Sequence, residues 1–377
     1  SSMSSTRCML TVKPLARSLT NSRAQHWSVP FFHARTQQMA TAAAGETAAK
    51  MVAIQVADVG GPEKLTLAVD VPLPVPGEHM VLVRNKIAGV NFIDTYHRSG
   101  LYPISGSPFT PGVEGAGEVV AVGPGVQGLQ PGVQVSYITR PPGGSYAQYT
   151  AVHDSKIARI PEGISHEVAA ASMIQGMTAH CLVHQAYPVQ RGDWVLVTAA
   201  AGGTGRLIAQ LAAAAGATVI GTASTPDKAE VARQAGCAHV VLYEQQQDLA
   251  AEVMRLTAGR GVQAVYDGVG RATFDAALSC VARLGYMISF GNASGKVPDL
   301  DILRLTRNNV RLMRPALWDF ITTKEEFESV SSQTLAAVAE GKLKVLVGGR
   351  YLLSAAAQAH RDLEGRATTG KLVLQVP

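Results

Sequence analysis

Trp194-Val195-Leu196-Val197-Thr198-Ala199-Ala200-Ala201-Gly202-Gly203-Thr204-Gly205 decides the fold. An apolar run of strand type, Trp194–Thr198, gives way to seven small residues and then to helical text over Gly205–Ala215. Set against G-x-G-x-x-G, Ala200 takes the place of the first glycine, and Gly202 and Gly205 those of the second and third. Small residues let a backbone approach a pyrophosphate, and a helix N-terminus supplies amide hydrogens and a favourable dipole. A glycine-rich loop alone fits a structural turn equally well. Here the strand before it and the helix after it are the context that dinucleotide binding requires.

Outward from that loop, short apolar runs alternate with helical stretches. Thr218–Thr222, Val240–Tyr243, Ala264–Tyr266, Tyr286–Phe290 and Val310–Met313 are predicted as buried strands. Pro226–Gln234, Leu249–Thr257 and Ala272–Val281 are predicted as the helices between most of them. That alternation predicts an α/β fold with a doubly wound parallel sheet of Rossmann type. After the second strand, where an acid would hold a ribose 2′-hydroxyl, stands Ser224-Thr225-Pro226-Asp227-Lys228. Hydroxyls and an ammonium suit a 2′-phosphate, so NADPH is the expected cofactor. The competing reading makes Lys228 a solvated helix lysine. Asp227, one turn into the helix, is expected to be poorly placed for the ribose.

Upstream, Met51–Val56, Val81–Ala88 and Gly117–Val122 read as strands separated by Gly/Pro-rich turns, giving a mostly antiparallel β region to about residue 160. Downstream, Thr323-Lys324-Glu325-Glu326 fits a capped helix start, and Lys371–Val376 fits a strand that rejoins the first domain. The expected organisation is therefore a leader over 1–50, a β-rich catalytic domain over 51–175, a dinucleotide domain over 176–317, and a return to the catalytic domain over 318–377.

The chain has 377 residues and a formal net charge of +5. Residues 1–45 contain Arg7, Lys13, Arg17, Arg23 and Arg35 and no acid, so residues 46–377 hold equal numbers of basic and acidic side chains. A neutral body lacks the field that gathers nucleic acid or anionic membrane, and neither is expected as a partner. The Ser/Thr/Arg/Ala-rich leader matches an organellar transit peptide, which would direct the protein to a mitochondrion or another organelle. The alternative is a disordered extension on a cytoplasmic protein. Cys8, Cys181, Cys237 and Cys280 are too scattered for a disulfide framework. Neither C-x-x-C nor H-E-x-x-H occurs, so no metal is expected.

Several segments together resemble a known family. They are Gly89-Val90-Asn91-Phe92-Ile93-Asp94-Thr95-Tyr96, Arg98-Ser99-Gly100-Leu101-Tyr102-Pro103, and Pro111-Gly112-Val113-Glu114-Gly115-Ala116-Gly117. With them go the Ala/Gly loop, Val265-Tyr266-Asp267, Ser289-Phe290-Gly291-Asn292, Arg314-Pro315, Tyr351-Leu352-Leu353 and Glu364-Gly365-Arg366-Ala367-Thr368. From about residue 51 onward the sequence resembles the zinc-free NADPH:quinone oxidoreductases, the zeta-crystallin branch of the medium-chain dehydrogenase/reductase superfamily. Zinc members of that superfamily have His where Val113 stands and a four-Cys lobe that is missing here.

The resemblance implies a GroES-like catalytic domain beside the Rossmann domain, and NADPH-dependent reduction of a small quinone or enone without a metal. It implies a homodimer, formed through an edge strand of the cofactor domain. It puts Asn91, Tyr96 and Thr178 by the nicotinamide, and Gly202, Gly203, Thr204 and Gly205 at the pyrophosphate. Ser224 and Lys228 would meet the 2′-phosphate, with Tyr243 near the adenosine end. Phe290, Gly291, Asn292 and Arg314 would line the nicotinamide side, and Arg366 would reach the cofactor from the returning segment. Tyr96, Tyr102, Asn91 and Arg314 are the candidates for catalysis. Taken singly, Asn91 also fits a turn cap, Tyr96 and Tyr102 core aromatics, and Arg314 a surface cation. His97 is expected to be exposed near a helix end. Three departures stand out: Thr204 replaces a usual Val, Gly268 a common Ser, and Cys181 an aromatic whose loss would widen the cofactor cleft. The rival functions are reduction of α,β-unsaturated aldehydes or ketones, and a non-catalytic NADPH-binding role of RNA-binding or crystallin-like type.

Overall fold

In the computed structural model, which describes residues 49–243 and 248–377, the alternating text folds as expected into a six-stranded parallel sheet. It follows a β-rich segment. There β1 (Lys50–Gln55) and β2 (Thr66–Pro72) form an antiparallel pair, and β3 (Met80–Val90) leads into α1 (Phe92–Ser99). Next come β4 (Glu114–Val122), β5 (Gln134–Ile138), β6 (Tyr149–His153) and β7 (Ile157–Arg159). Antiparallel pairing joins β3 to both β4 and β6, and joins β5 to both β4 and β7.

A long helix, α2 (His166–Cys181), then crosses toward the dinucleotide half and ends in a π turn over Leu182–Ala186. Beyond it run β8 (Trp194–Val197), α3 (Gly203–Ala214), β9 (Thr218–Ala223), α4 (Pro226–Gln234) and β10 (Cys237–Leu242). The half is completed by α5 (Leu249–Leu256), β11 (Val262–Asp267), α6 (Phe274–Ser279), β12 (Val281–Ser289) and β13 (Arg311–Met313). The sheet order is β10-β9-β8-β11-β12-β13. Val195, Leu196, Val197, Ala264, Val265, Tyr266, Met287 and Ile288 are all fully buried. Near-continuous apolar strands of this kind are what a parallel sheet covered on both faces demands.

The chain returns through α7 (Leu317–Phe320), α8 (Lys324–Ala339), β14 (Val347–Leu352), α9 (Ala356–Glu364) and β15 (Lys371–Gln375). Thr323 and Glu326 close the capping box at the start of α8 as the sequence suggests. β15 inserts between β14 and β3, parallel to the first and antiparallel to the second. A GroES-like β-rich domain thus stands against a Rossmann-type domain. The expected boundaries at 175/176 and 317/318 fall inside α2 and α7, so continuous helix, not loop, crosses each of them. The leader lies outside the described residues.

Candidate active site

The residues that matter sit where β3, α1 and β15 of the first domain meet the strand ends and loops of the second. Asn91 caps α1, with its backbone amide donating to Asp94 Oδ2 at 2.8 Å. Gly100 ends the helix in a left-handed conformation, which glycine adopts without strain. The chain then doubles back, so that Tyr102 N donates to Tyr96 O at 3.0 Å and the two phenol rings pack edge to face at 5.2 Å.

Both phenols reach across to the second domain. Tyr96 Oη accepts from Asn292 N at 2.9 Å, and Arg314 Nη2 donates to Tyr102 Oη at 3.0 Å. Arg314 Nη1 donates to the carbonyls of Ser289 and Gly291 at 2.8 and 3.1 Å. The Asn292 side chain satisfies both of its ends when Nδ2 donates to Gly291 O and Oδ1 accepts from Tyr102 Oη at 3.2 Å and from Arg314. Five expected residues (Tyr96, Tyr102, Gly291, Asn292 and Arg314) therefore form one hydrogen-bonded cluster. Burial drives the Tyr96 phenol well above its usual range, so it stays neutral at any physiological pH.

Asn91 belongs to a second network, which sequence reasoning missed. Its Nδ2 donates to Glu114 Oε1 at 2.7 Å, and Lys371 Nζ donates to its Oδ1 at 2.6 Å. Lys371 and Glu114 form an ion pair with both side chains essentially inaccessible to water. Glu114 Oε2 also accepts from Ile174 N at 2.6 Å, which anchors α2. Farther in, Tyr146 Oη donates to Asp94 Oδ2 at 3.1 Å and meets His360 Nε2 at 3.1 Å, while Arg98 pairs with Glu364 at 2.7 Å. Burial raises the Asp94 carboxyl from 3.8 to about 7, against the lowering effects of the Asn91 amide and Lys371. The signal that was available was Glu114 itself: an acid between small residues in a buried strand requires a partner.

Gln175 is a further residue missed. Its Nε2 lies 3.4 Å from Asn91 Oδ1, and a Cβ on Gly203 would meet its Oε1. Thr178 follows on the same helix and is half-buried. A Cβ on Gly205 would lie 2.5 Å from Ala199 O, so glycine is needed for the loop to fold back on itself. The first-turn amides of Gly203, Thr204 and Gly205 have no intrahelical carbonyl to meet and are available to an anion. Gly370 N donates to Ala201 O at 3.1 Å and ties the returning segment to this loop.

Past the end of β9 lies a cavity of about 510 Å³ lined by Ser224, Thr225, Lys228, Tyr243 and Arg366, among others. Thr225 caps α4 by accepting from Lys228 N, which fixes the lysine's position, and Lys228 Nζ donates to Arg366 O. Asp227 lines the same cavity.

Two expectations are corrected. His97 is buried, not exposed; burial first and the charge of Arg140 second push its imidazole down to about 4, so it is neutral. Cys181 packs into a core with Ile138, Met173, Met177, Ile321 and Phe327, so its small size serves that core and not the cleft. Gly268 has a positive reason to lack a side chain, because a Cβ there would come within 2.8 Å of the Phe290 ring. Among the described residues, no group of three or more His, Cys, Asp or Glu is placed to hold a metal ion.

A glycine-rich anion cradle, a cavity with Lys228 and Arg366 one strand over, and a phenol–guanidinium cluster bridging the two domains are the features of a dinucleotide-dependent oxidoreductase of the medium-chain type. Residues 77–162 match the alcohol dehydrogenase GroES-like domain family, and residues 203–335 match the zinc-binding dehydrogenase family. A quinone oxidoreductase of Pseudomonas aeruginosa is 40% identical over 322 residues, covering 85% of this chain and 98% of that protein. A mycobacterial protein solved in complex with NADPH is 44% identical with a TM-score of 0.83, over 86% of this chain and 100% of its own. The Escherichia coli quinone oxidoreductase complexed with NADPH is 39% identical with a TM-score of 0.83, over 86% and 99%. The chain belongs to the quinone oxidoreductase family of medium-chain dehydrogenases/reductases.

Proposed function

We propose that this protein reduces quinones at the expense of NADPH. The observation that carries the reading is the cavity beyond β9. It offers Lys228, Arg366 and the Ser224 hydroxyl to a 2′-phosphate, in a chain whose family includes NADPH-complexed quinone oxidoreductases. When bound, the reduced nicotinamide supplies the hydride. The chain's own residues then divide the work. Gly202, Gly203, Thr204 and Gly205 cradle the pyrophosphate, and Tyr243 flanks the adenosine. Asn91, Tyr96, Thr178, Phe290, Gly291, Asn292 and Arg314 hold the nicotinamide side. Tyr102 presents a phenol that both accepts from Arg314 and donates, so it can orient an acceptor oxygen. A quinone delocalises incoming charge over its own ring, so this set of neutral donors and one guanidinium suffices without a Lewis acid.

The reading extends to organisation. Residues 51–175 and 318–377 act as the catalytic domain and residues 176–317 as the cofactor domain. Two copies pair through β13, an edge strand that exposes Leu312. The leader acts as a transit peptide. Absorbance at 340 nm tests the central claim: NADPH is oxidised with simple para-quinones and negligibly with unactivated ketones. Ketones turned over as fast as quinones, or no quinone-dependent oxidation, would overturn it.

A further inference from the structure

A second cavity, of about 640 Å³, opens between the ends of β5 and β6 and the turn of α7. Its apolar wall includes Ile138, Val152 and Ile321, and Trp318 and Arg140 stand on it together. Three connections bring it beside the phenol cluster. Trp318 lies four residues after Arg314, across a short extended link at Ala316. Thr139 N, next to Arg140, donates to Val113 O at 2.9 Å. The charge of Arg140 is felt at His97, whose ring lies 6.4 Å from that of Tyr102.

Arg140 is placed unusually for a guanidinium. Its carbon sits 4.1 Å over the Trp318 ring, yet among the described residues it makes no ion pair and no side-chain hydrogen bond. The cation–π contact holds the guanidinium over the indole and leaves its N–H donors unmatched. Lys156 also lines the cavity, but its ammonium is already turned to the carbonyls of Ile321 and Thr322, at 2.5 and 3.3 Å. Asp319 is the one acid in the lining, and it is exposed. A cavity with an apolar wall and a guanidinium free of ion pairs matches an aromatic ring that carries a carboxylate or sulfonate.

We propose that Arg140, clamped on Trp318, is a specificity residue that selects acceptors with an anionic substituent. The proposal rests on the quinone-reductase reading. Its test compares 1,4-naphthoquinone with its 2-sulfonate in wild type and Arg140→Gln. Because the sulfonate also alters the ring's redox potential, the variant-to-wild-type ratio is the quantity to read. A charge-assisted contact predicts that kcat/KM for the sulfonate falls by about tenfold or more, mainly through KM, while the neutral quinone is unchanged. Equilibrium binding provides a readout independent of turnover: 2-naphthoate should bind Arg140→Gln about tenfold more weakly and neutral 2-naphthol equally. Arg140→Lys, which keeps the charge and loses the fork, should recover part of both. Equal effects on charged and neutral ligands, or none on either, overturn the proposal and leave quinone reduction standing. Failure of wild type to reduce either quinone strikes the functional reading instead, and the naphthoate titration still decides the fate of Arg140.

Discussion

Replacing Lys371 with Met strips Glu114 of its countercharge inside a site that water does not reach. Removing one partner of a buried pair costs about 3–5 kcal/mol, because the other charge stays buried. Glu114 keeps two short hydrogen bonds, from Asn91 Nδ2 and Ile174 N, which puts its share near the lower end, about 3 kcal/mol. Asn91 Oδ1 loses its 2.6 Å donor and keeps only Gln175 at 3.4 Å, adding about 1 kcal/mol. The expected loss is therefore about 4 kcal/mol, or a fall in Tm of roughly 6 °C for a chain of this size. In the double variant Glu114→Gln/Lys371→Met no charge remains buried, and a rotated Asn91 amide can accept from the new Gln. That variant should recover at least about 2 kcal/mol relative to the summed singles. Differential scanning calorimetry of the three proteins decides the matter. A loss under about 1 kcal/mol for Lys371→Met, or simple additivity in the double variant, would refute the argument.

Asp94 gives stability a pH dependence whose sign follows from its raised carboxyl. The folded protein holds this proton between about pH 4 and 7, where the unfolded chain has lost it, so this contribution is full below pH 4 and is lost as pH climbs through 7. Asp94→Asn should therefore gain on wild type between pH 4.5 and 8 in urea melts; parallel pH profiles would contradict this. Lys228→Ala should weaken NADPH about ten- to hundredfold and leave NADH nearly unchanged, as read by titration of each cofactor. Equal losses for both would remove the lysine from the 2′-phosphate.

The dinucleotide half was legible because its signals are local. Strand, small-residue loop and helix follow one another within about twenty residues, and Thr225-Pro226 announces α4 by itself. Helix α2 was not legible. Ala169, Ala170, Ala171, Met173 and Met177 are all fully buried, and a helix wrapped on most sides shows no amphipathic period. The Glu114–Lys371–Asn91 network was hidden for another reason, since its members lie far apart in sequence and no spacing rule connects them. His97 misled because a histidine near the end of a short helix, beside Arg98, reads as surface, whereas the turn at Gly100 folds Tyr102 back near it. Arg140 gave no signal at all, because what marks it is the ring beneath it and the partner it lacks.

The insertion of β15 between β14 and β3 also orders events at the ribosome. Every strand of the dinucleotide sheet lies between residues 194 and 313, so that half has all its pairing partners once the nascent chain has passed Met313. The first sheet was begun earlier and finishes later. Val90 waits for Leu372, and Glu114 for Lys371, across more than 250 residues of intervening synthesis. During translation the second domain therefore has its full sheet while the first still lacks an interior strand and the counterion for a carboxylate it will bury.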